Sequence, residues 1–234
     1  MLLWLHPDRI RRADGPPLWV RLVLAVAGAT PVTLIGASTF EWLSLRAMTI
    51  SILAPMLAAT AVLLVDVPAT RPLVGWAVVV GPAATFVYDL FRWTFVVFGW
   101  VGPDPIPHIG TALGLEPGWV WGYLWRYVGN GGGLALVFLA IGGRGVRAGV
   151  EHGLLICSGL VAVLVLSPTA EDVLFAVDPV TVFMAVTGHL IYGYSLARLI
   201  DRLGERVPTP ATSRSPSPPP RVAATVGQRR SSAG

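Results

Sequence analysis

The sequence contains no lysine, a single cysteine and only two side-chain amides, Asn130 and Gln228. All 17 basic residues are therefore arginines, a bias that a GC-rich coding sequence explains better than chemistry does. Because Cys157 has no second cysteine to pair with, an internal disulfide is excluded. Its apolar neighbours indicate a small buried hydrophobic residue.

Charge is also scarce. Charged residues make up 13% of the chain, whereas soluble domains contain about 25%. Hydrophobic residues make up 54%, and the mean hydropathy is +0.67. The composition therefore predicts a membrane protein, with the lipid bilayer as its surroundings and no nucleic acid partner.

Long apolar windows fill most of residues 18–201. A helix needs about 20 apolar residues to cross roughly 30 Å of hydrocarbon. Six windows meet or approach that length: 19–40, 47–65, 73–100, 118–141, 150–166 and 179–200. Backbone polar groups find no water in lipid, so these windows must be helical. The sequence predicts an all-α polytopic membrane bundle of about six transmembrane helices.

The flanking segments differ in composition from this domain. Residues 1–17 are predicted to be a cytoplasmic lead-in, because residues 1–5 are too short for the apolar core of a signal peptide. Residues 202–234 are rich in Pro, Ser and Arg and predict a disordered, basic cytoplasmic tail. Its arginines either contact anionic lipid headgroups or stay solvated, and the composition favours solvation.

Arginine placement predicts the orientation, since cytoplasmic segments retain positive charge. Alternate connections and both flanks carry the following arginines: Arg9, Arg11, Arg12, Arg21, Arg71, Arg144, Arg147, Arg198, Arg202 and Arg206. The other connections carry mainly acids, and tryptophans gather near them. Both termini are therefore predicted to be cytoplasmic, in a multi-pass protein of a prokaryotic cell membrane.

A few polar side chains interrupt the apolar windows and form the candidate site: Asp89, Arg92, Arg126, Asn130, His189 and Tyr192. An ionisable group at the bilayer centre costs at least ~2.5–3.5 kcal/mol, so each of the charged ones needs a partner. Asp89 and Arg92 share a helix face at i,i+3 spacing. Counting from the helix ends places Asp89 and Arg126 at similar depth. Our hypothesis is an interhelical ion pair between them, with Arg92 nearer the interface.

Two interpretations of this group stay open. In the first it is a structural clasp, and Arg92 extends its apolar stem to place its charge at the interface. In the second, two arginines facing one aspartate leave an excess positive charge that an anion or lipid headgroup neutralises. A second acid could neutralise it equally well.

The string from Gly129 to Gly133 surrounds Asn130 with four glycines. Glycine has low helix propensity, so the helix either breaks there to bind an ion or substrate, or packs closely against a neighbour. The GxxxG spacing of Gly129 and Gly133 favours packing. A phosphate loop is excluded because no lysine follows and no strand precedes.

His189 lies about halfway along the last window. An imidazole there can relay protons or simply satisfy a polar contact between helices, and the second role is the more common. Joint ligation with His152 is not expected, because their depths differ by more than one helical turn. The spacing of Asp104, His108 and Glu116 does not mark a metal site either, and we expect no metal and no cofactor.

The segment Gly188-His189-Leu190-Ile191-Tyr192-Gly193 resembles the His-x-x-Tyr-Gly element in the last helix of some uncharacterised prokaryotic membrane-protein families. The resemblance covers only this helix. It implies a multi-pass membrane protein and no particular activity.

Two function classes follow from these observations. In the preferred one, the candidate site binds or passes a small anion or a proton, as transport-like proteins do. In the alternative, the protein is a non-catalytic structural or accessory subunit, paired with a membrane-protein partner or with itself. An enzyme is disfavoured, since no nucleophile–base pair or metal-ligand spacing is visible.

Overall fold

A computed structural model describes residues 15–205. The predicted lead-in up to residue 14 and the tail beyond residue 205 lie outside the described residues. Within them all regular structure is helical and no strand occurs, which confirms the all-α class. The helices are α1 (Leu18–Ser38), α2 (Leu45–Asp66), α3 (Arg71–Val97), α4 (Ile106–Ala112), α5 (118–140), α6 (Gly145–Leu166), α7 (Ala170–Val173) and α8 (Pro179–Glu205).

Among residues 15–205, five helices are long and apolar enough to cross a membrane: α1, α2, α3 with its preceding turn, α6 and α8. These five make the chain a multi-pass membrane protein. The helix α5 also runs through 118–140, but its middle third, Trp125–Gly132, is π-helical. The sixth span and the cytoplasmic termini remain predictions.

The last helix continues to Glu205, past the predicted domain boundary at residue 201. Leu203 still packs against the hydrophobic core, and the first proline after it is Pro208. Nothing therefore stops the helix at the end of its apolar window.

The helix α3 lies at the centre of the bundle, between α5 on one side and α8 on the other. On the outside, α6 packs against α8 and α1 packs against α5, while α4 covers the beginning of α5. The main core lies where these helices meet, around residues such as Val80, Ala84, Phe138 and Leu196. The helix α2 makes few contacts and only lightly touches α1, so it is the peripheral member.

Glycines bring the central helices into backbone contact. A Cβ atom added at Gly81 of α3 would collide with the carbonyl of Gly131, and one added at Gly133 would collide with the carbonyl of Gly28 in α1. Close approach of this kind is how small residues hold helices together in lipid. The packing interpretation of the glycine string is therefore confirmed. The helix does not break there but widens into a π-helix.

Candidate functional site

The charged cluster is built around Asp89, which is fully buried on α3. Arg126 of α5 donates from Nη2 to Asp89 Oδ1 at 2.8 Å and from Nε to Oδ2 at 3.4 Å. A guanidinium and a carboxylate that meet through two hydrogen bonds make a strong and directional pair. The ion pair predicted from helix depth is confirmed.

Arg92 is buried near the end of α3, between Asp89 on the same helix and the loop that follows it. Its side chain is only 2% exposed. Its Nε donates to Asp89 Oδ1 at 3.0 Å, and its Nη1 donates to Asp104 Oδ1 at 2.9 Å. Asp104 lies in the loop that follows α3, so Arg92 pairs toward the loop end of the helix, the side on which we expected it. Its guanidinium is buried against this second acid and is not exposed at the surface.

Asp104 connects this loop to the helices α3 and α5. Its Oδ1 also accepts from the backbone N–H of Ile106 at 3.1 Å, and its Oδ2 accepts from the Tyr123 hydroxyl of α5. The Trp93 indole of α3 donates to that hydroxyl at 3.2 Å. Partial burial alone would raise the pKa of Asp104, but the Tyr123 hydrogen bond and the Arg92 charge outweigh it and lower the pKa.

The cluster is formally neutral, since two arginines face two aspartates. The excess positive charge that supported an anion ligand is therefore absent from it. The neutralising charge comes from Asp104, a residue outside the apolar windows. Each carboxylate contacts at least one guanidinium, as buried charges require.

His189 is connected to the cluster through an aromatic ring. The Arg126 guanidinium carbon lies 4.6 Å from the centroid of the Tyr88 ring, a cation–π contact. The same ring meets the His189 imidazole edge to face, with centroids 5.3 Å apart. His189 Nδ1 donates to the carbonyl of Ala185 in its own helix at 2.7 Å, because a carbonyl can only accept.

The remaining predicted residues are Asn130 of α5 and Tyr192 of α8. The Tyr192 hydroxyl donates to the carbonyl of Gly131 at 3.2 Å. This carbonyl belongs to the π-helical segment Trp125–Gly132, which also carries Arg126 and Asn130. Asn130 is buried, and its Oδ1 has no hydrogen-bond partner among the described residues. The same holds for Arg92 Nη2.

The structure thus brings Arg92 and Arg126 into direct contact with Asp89. The Tyr88 ring lies between Arg126 and His189. Sequence reasoning missed the roles of Asp104, Tyr88 and Tyr123. One signal pointed to Asp104: two arginines and one acid within the membrane need a second acid, and Asp104 is the first that follows Arg92. No spacing rule identifies the two tyrosines.

Within residues 15–205, no three histidine, cysteine or acidic side chains are grouped so that they could hold a metal ion. Asp104 is engaged by Arg92, as described above. His152, buried on α6, contacts the carbonyl of Leu134 through Nε2 at 3.0 Å.

No protein-family model, curated protein or solved structure matches this chain. The resemblance of residues 188–193 to other membrane proteins therefore stays a prediction. Since a helical bundle hosts many activities, function has to be inferred from the site itself.

Asp104 gives the first testable prediction. Its pKa is lower in the folded protein than the ordinary value of about 3.9, so its stabilising effect is complete above that value and is lost as the pH falls through the folded pKa. We expect Asp104→Asn to lower the free energy of unfolding at neutral pH and to flatten its decline below about pH 4. Unfolding followed by circular dichroism from pH 7 to pH 3 measures both effects.

Asp172→Asn is the matched control, because Asp172 is exposed on the short helix α7. It should leave the pH profile of the natural protein unchanged. Identical profiles for Asp104→Asn and Asp172→Asn would contradict the role of Asp104.

Proposed function

We propose that the protein is a structural or accessory membrane component whose polar interior is a clasp. The observation that carries this proposal is the neutrality of the cluster: Arg92 and Arg126 pair with Asp89 and Asp104. The four side chains come from α3, α5 and the connecting loop, so the contacts hold these three segments in one arrangement. The activity then belongs to a partner or to the assembly.

The physics of helix association in lipid supports this role. Lipid tails are as apolar as leucine, so the hydrophobic effect does not drive helices together within the bilayer. Close glycine contacts and polar pairs do so instead, and both join α3 to α5. A buried ion pair contributes little net stability, but it selects one arrangement because its partners cannot be left unpaired.

A second candidate function is binding or passage of a small anion or proton. Two observations favour it: Arg92 Nη2 and Asn130 Oδ1 are buried and lack partners within the described part of the chain. A guanidinium N–H could donate to an anion. His189 would then be the titratable group next to the cluster.

A flux measurement separates the two candidates. The purified chain is reconstituted alone in vesicles carrying a pH-sensitive dye, with chloride or inorganic phosphate inside and a potential or pH gradient imposed. The clasp predicts proton and anion leakage equal to that of protein-free vesicles. It also predicts that mild detergent releases the protein from its native membrane as an assembly larger than the 24.9 kDa chain.

Flux that rises with the protein-to-lipid ratio and is lost in His189→Gln would contradict the clasp and support the second candidate. His108→Gln is the control, because the His108 side chain is exposed on the short helix α4. A chain that is monomeric in its native membrane and conducts nothing would contradict the accessory role.

A further inference from the structure

An apolar groove opens between the peripheral helix α2 and the helices α1, α3 and α5. It encloses about 560 Å³, and nearly all of its lining is hydrophobic. Its floor includes the backbone of Gly129 and Gly132 on the π-helical segment of α5. None of Asp89, Arg126 and His189 lines it, so the groove is distinct from the charged cluster.

The rim of the groove faces the surroundings of the bundle. Leu57 of α2, Val78 of α3 and Val128 of α5 line it and are 59%, 51% and 46% exposed. These residues lie on helices apolar enough to span a membrane or directly beside them. The groove therefore opens sideways toward lipid.

One end of the groove carries a positive charge. Arg46 lines it from the first turn of α2, at the end of an apolar helix, which is the level of the headgroups. Its guanidinium lies against the turn at Gly114, where a side chain on the glycine would crowd it. Arg46 is exposed and forms no ion pair with any of residues 15–205.

We infer that the groove binds one acyl chain of an anionic phospholipid, whose phosphate pairs with Arg46. The apolar walls match a hydrocarbon chain, and the unpaired guanidinium at the headgroup level matches the phosphate. The volume lies within the roughly 300–1,000 Å³ of small-molecule sites. A transmembrane helix is about 10 Å wide and 30 Å long and needs several times this space. The inference is independent of the clasp.

Native mass spectrometry of the detergent-purified full chain tests this site. The protein is equilibrated with equal concentrations of palmitoyl-oleoyl phosphatidylglycerol and phosphatidylcholine, which differ in headgroup charge but not in chains. We expect one phosphatidylglycerol to be retained in preference to phosphatidylcholine. Arg46→Gln should reduce this preference about fivefold, the factor expected for one cation facing an anionic headgroup. Leu57→Trp should reduce retention of both lipids by filling the groove.

Two matched controls keep the test specific. Arg198→Gln removes an exposed arginine of α8. Leu155→Trp enlarges an exposed side chain of α6. Neither residue lines the groove. Both variants should retain lipid like the natural protein. Equal retention of the two lipids, unchanged by Arg46→Gln, would overturn the inference. A dimer that Leu57→Trp dissociates, with no lipid retained, would show that a second copy covers the groove and would overturn it as well.

Discussion

Replacement of Asp89 by asparagine is expected to lower the free energy of unfolding by about 3–5 kcal/mol, the usual cost of removing one partner from a buried ion pair. The change removes the carboxylate that Arg126 holds through two hydrogen bonds and that Arg92 shares. Asp104 still compensates Arg92 but does not reach Arg126 through any contact of the described chain. The Arg126 guanidinium is therefore left inside the bundle facing a neutral amide. Unfolding in mixed micelles of mild detergent and SDS, followed by circular dichroism, measures the loss.

The control for this variant is Arg147→Gln. Arg147 pairs with Glu151 at 2.8 Å on the exposed beginning of α6. Exposed pairs of this kind contribute roughly 0–1 kcal/mol, so the control should unfold almost like the natural protein. Equal effects of Asp89→Asn and Arg147→Gln would mean that the cluster does not hold the bundle together.

The second large effect is expected at Gly81. In Gly81→Ala the new methyl group meets the backbone carbonyl of Gly131, which cannot rotate away as a side chain could. The helices α3 and α5 must therefore move apart, at a cost of typically 1–3 kcal/mol or more for overpacking. The separation also lengthens the Asp89–Arg126 contact, so this variant should lose stability beyond the local clash. The same unfolding measurement detects it.

Gly159→Ala is the matched control, because Gly159 of α6 has no neighbouring atom near the position of a new Cβ. Alanine has a higher helix propensity than glycine by about 0.8–1.0 kcal/mol, so this variant should be as stable as the natural protein or more so. Replacement of glycine by alanine is thus expected to lower the free energy of unfolding at position 81 and to maintain or raise it at position 159. A loss of similar size in both would show that Gly81 is not at a close helix contact.

The Asp89–Arg126 pair was predictable because helix rise converts residue count into depth, and both residues lie inside long apolar windows. The Arg92–Asp104 pair was not, since the path of the loop after α3 depends on turns that hydropathy does not describe. Tyr88 was adjacent to Asp89 in sequence, but which way its ring faces depends on the rotation of α3 in the bundle. In the folded chain α3 lies against α5 with Gly81 close to the backbone of Gly131.

The shape of the helix at the glycine string could not be predicted from the sequence alone either. Its composition predicted either a break or close packing, and the helix combines packing with a widened π-helical segment. In this segment Gly131 lies against Gly81 and Thr85 of α3, and Gly133 just after it lies against Gly28 of α1. A single sequence does not carry that information. The apolar groove beside α2 was equally hidden, because it arises where α2 packs loosely against the other helices.

A double-mutant cycle between Asp89 and Arg126 tests the clasp most directly. Neutralising the two residues is preferable to exchanging them. An arginine at position 89 would lie one helical turn from Arg92, and the two like charges would repel each other. The clasp predicts that Asp89→Asn combined with Arg126→Gln is more stable than Asp89→Asn alone, with a coupling energy of about 2–3 kcal/mol. Additive losses, with no recovery in the double variant, would contradict it.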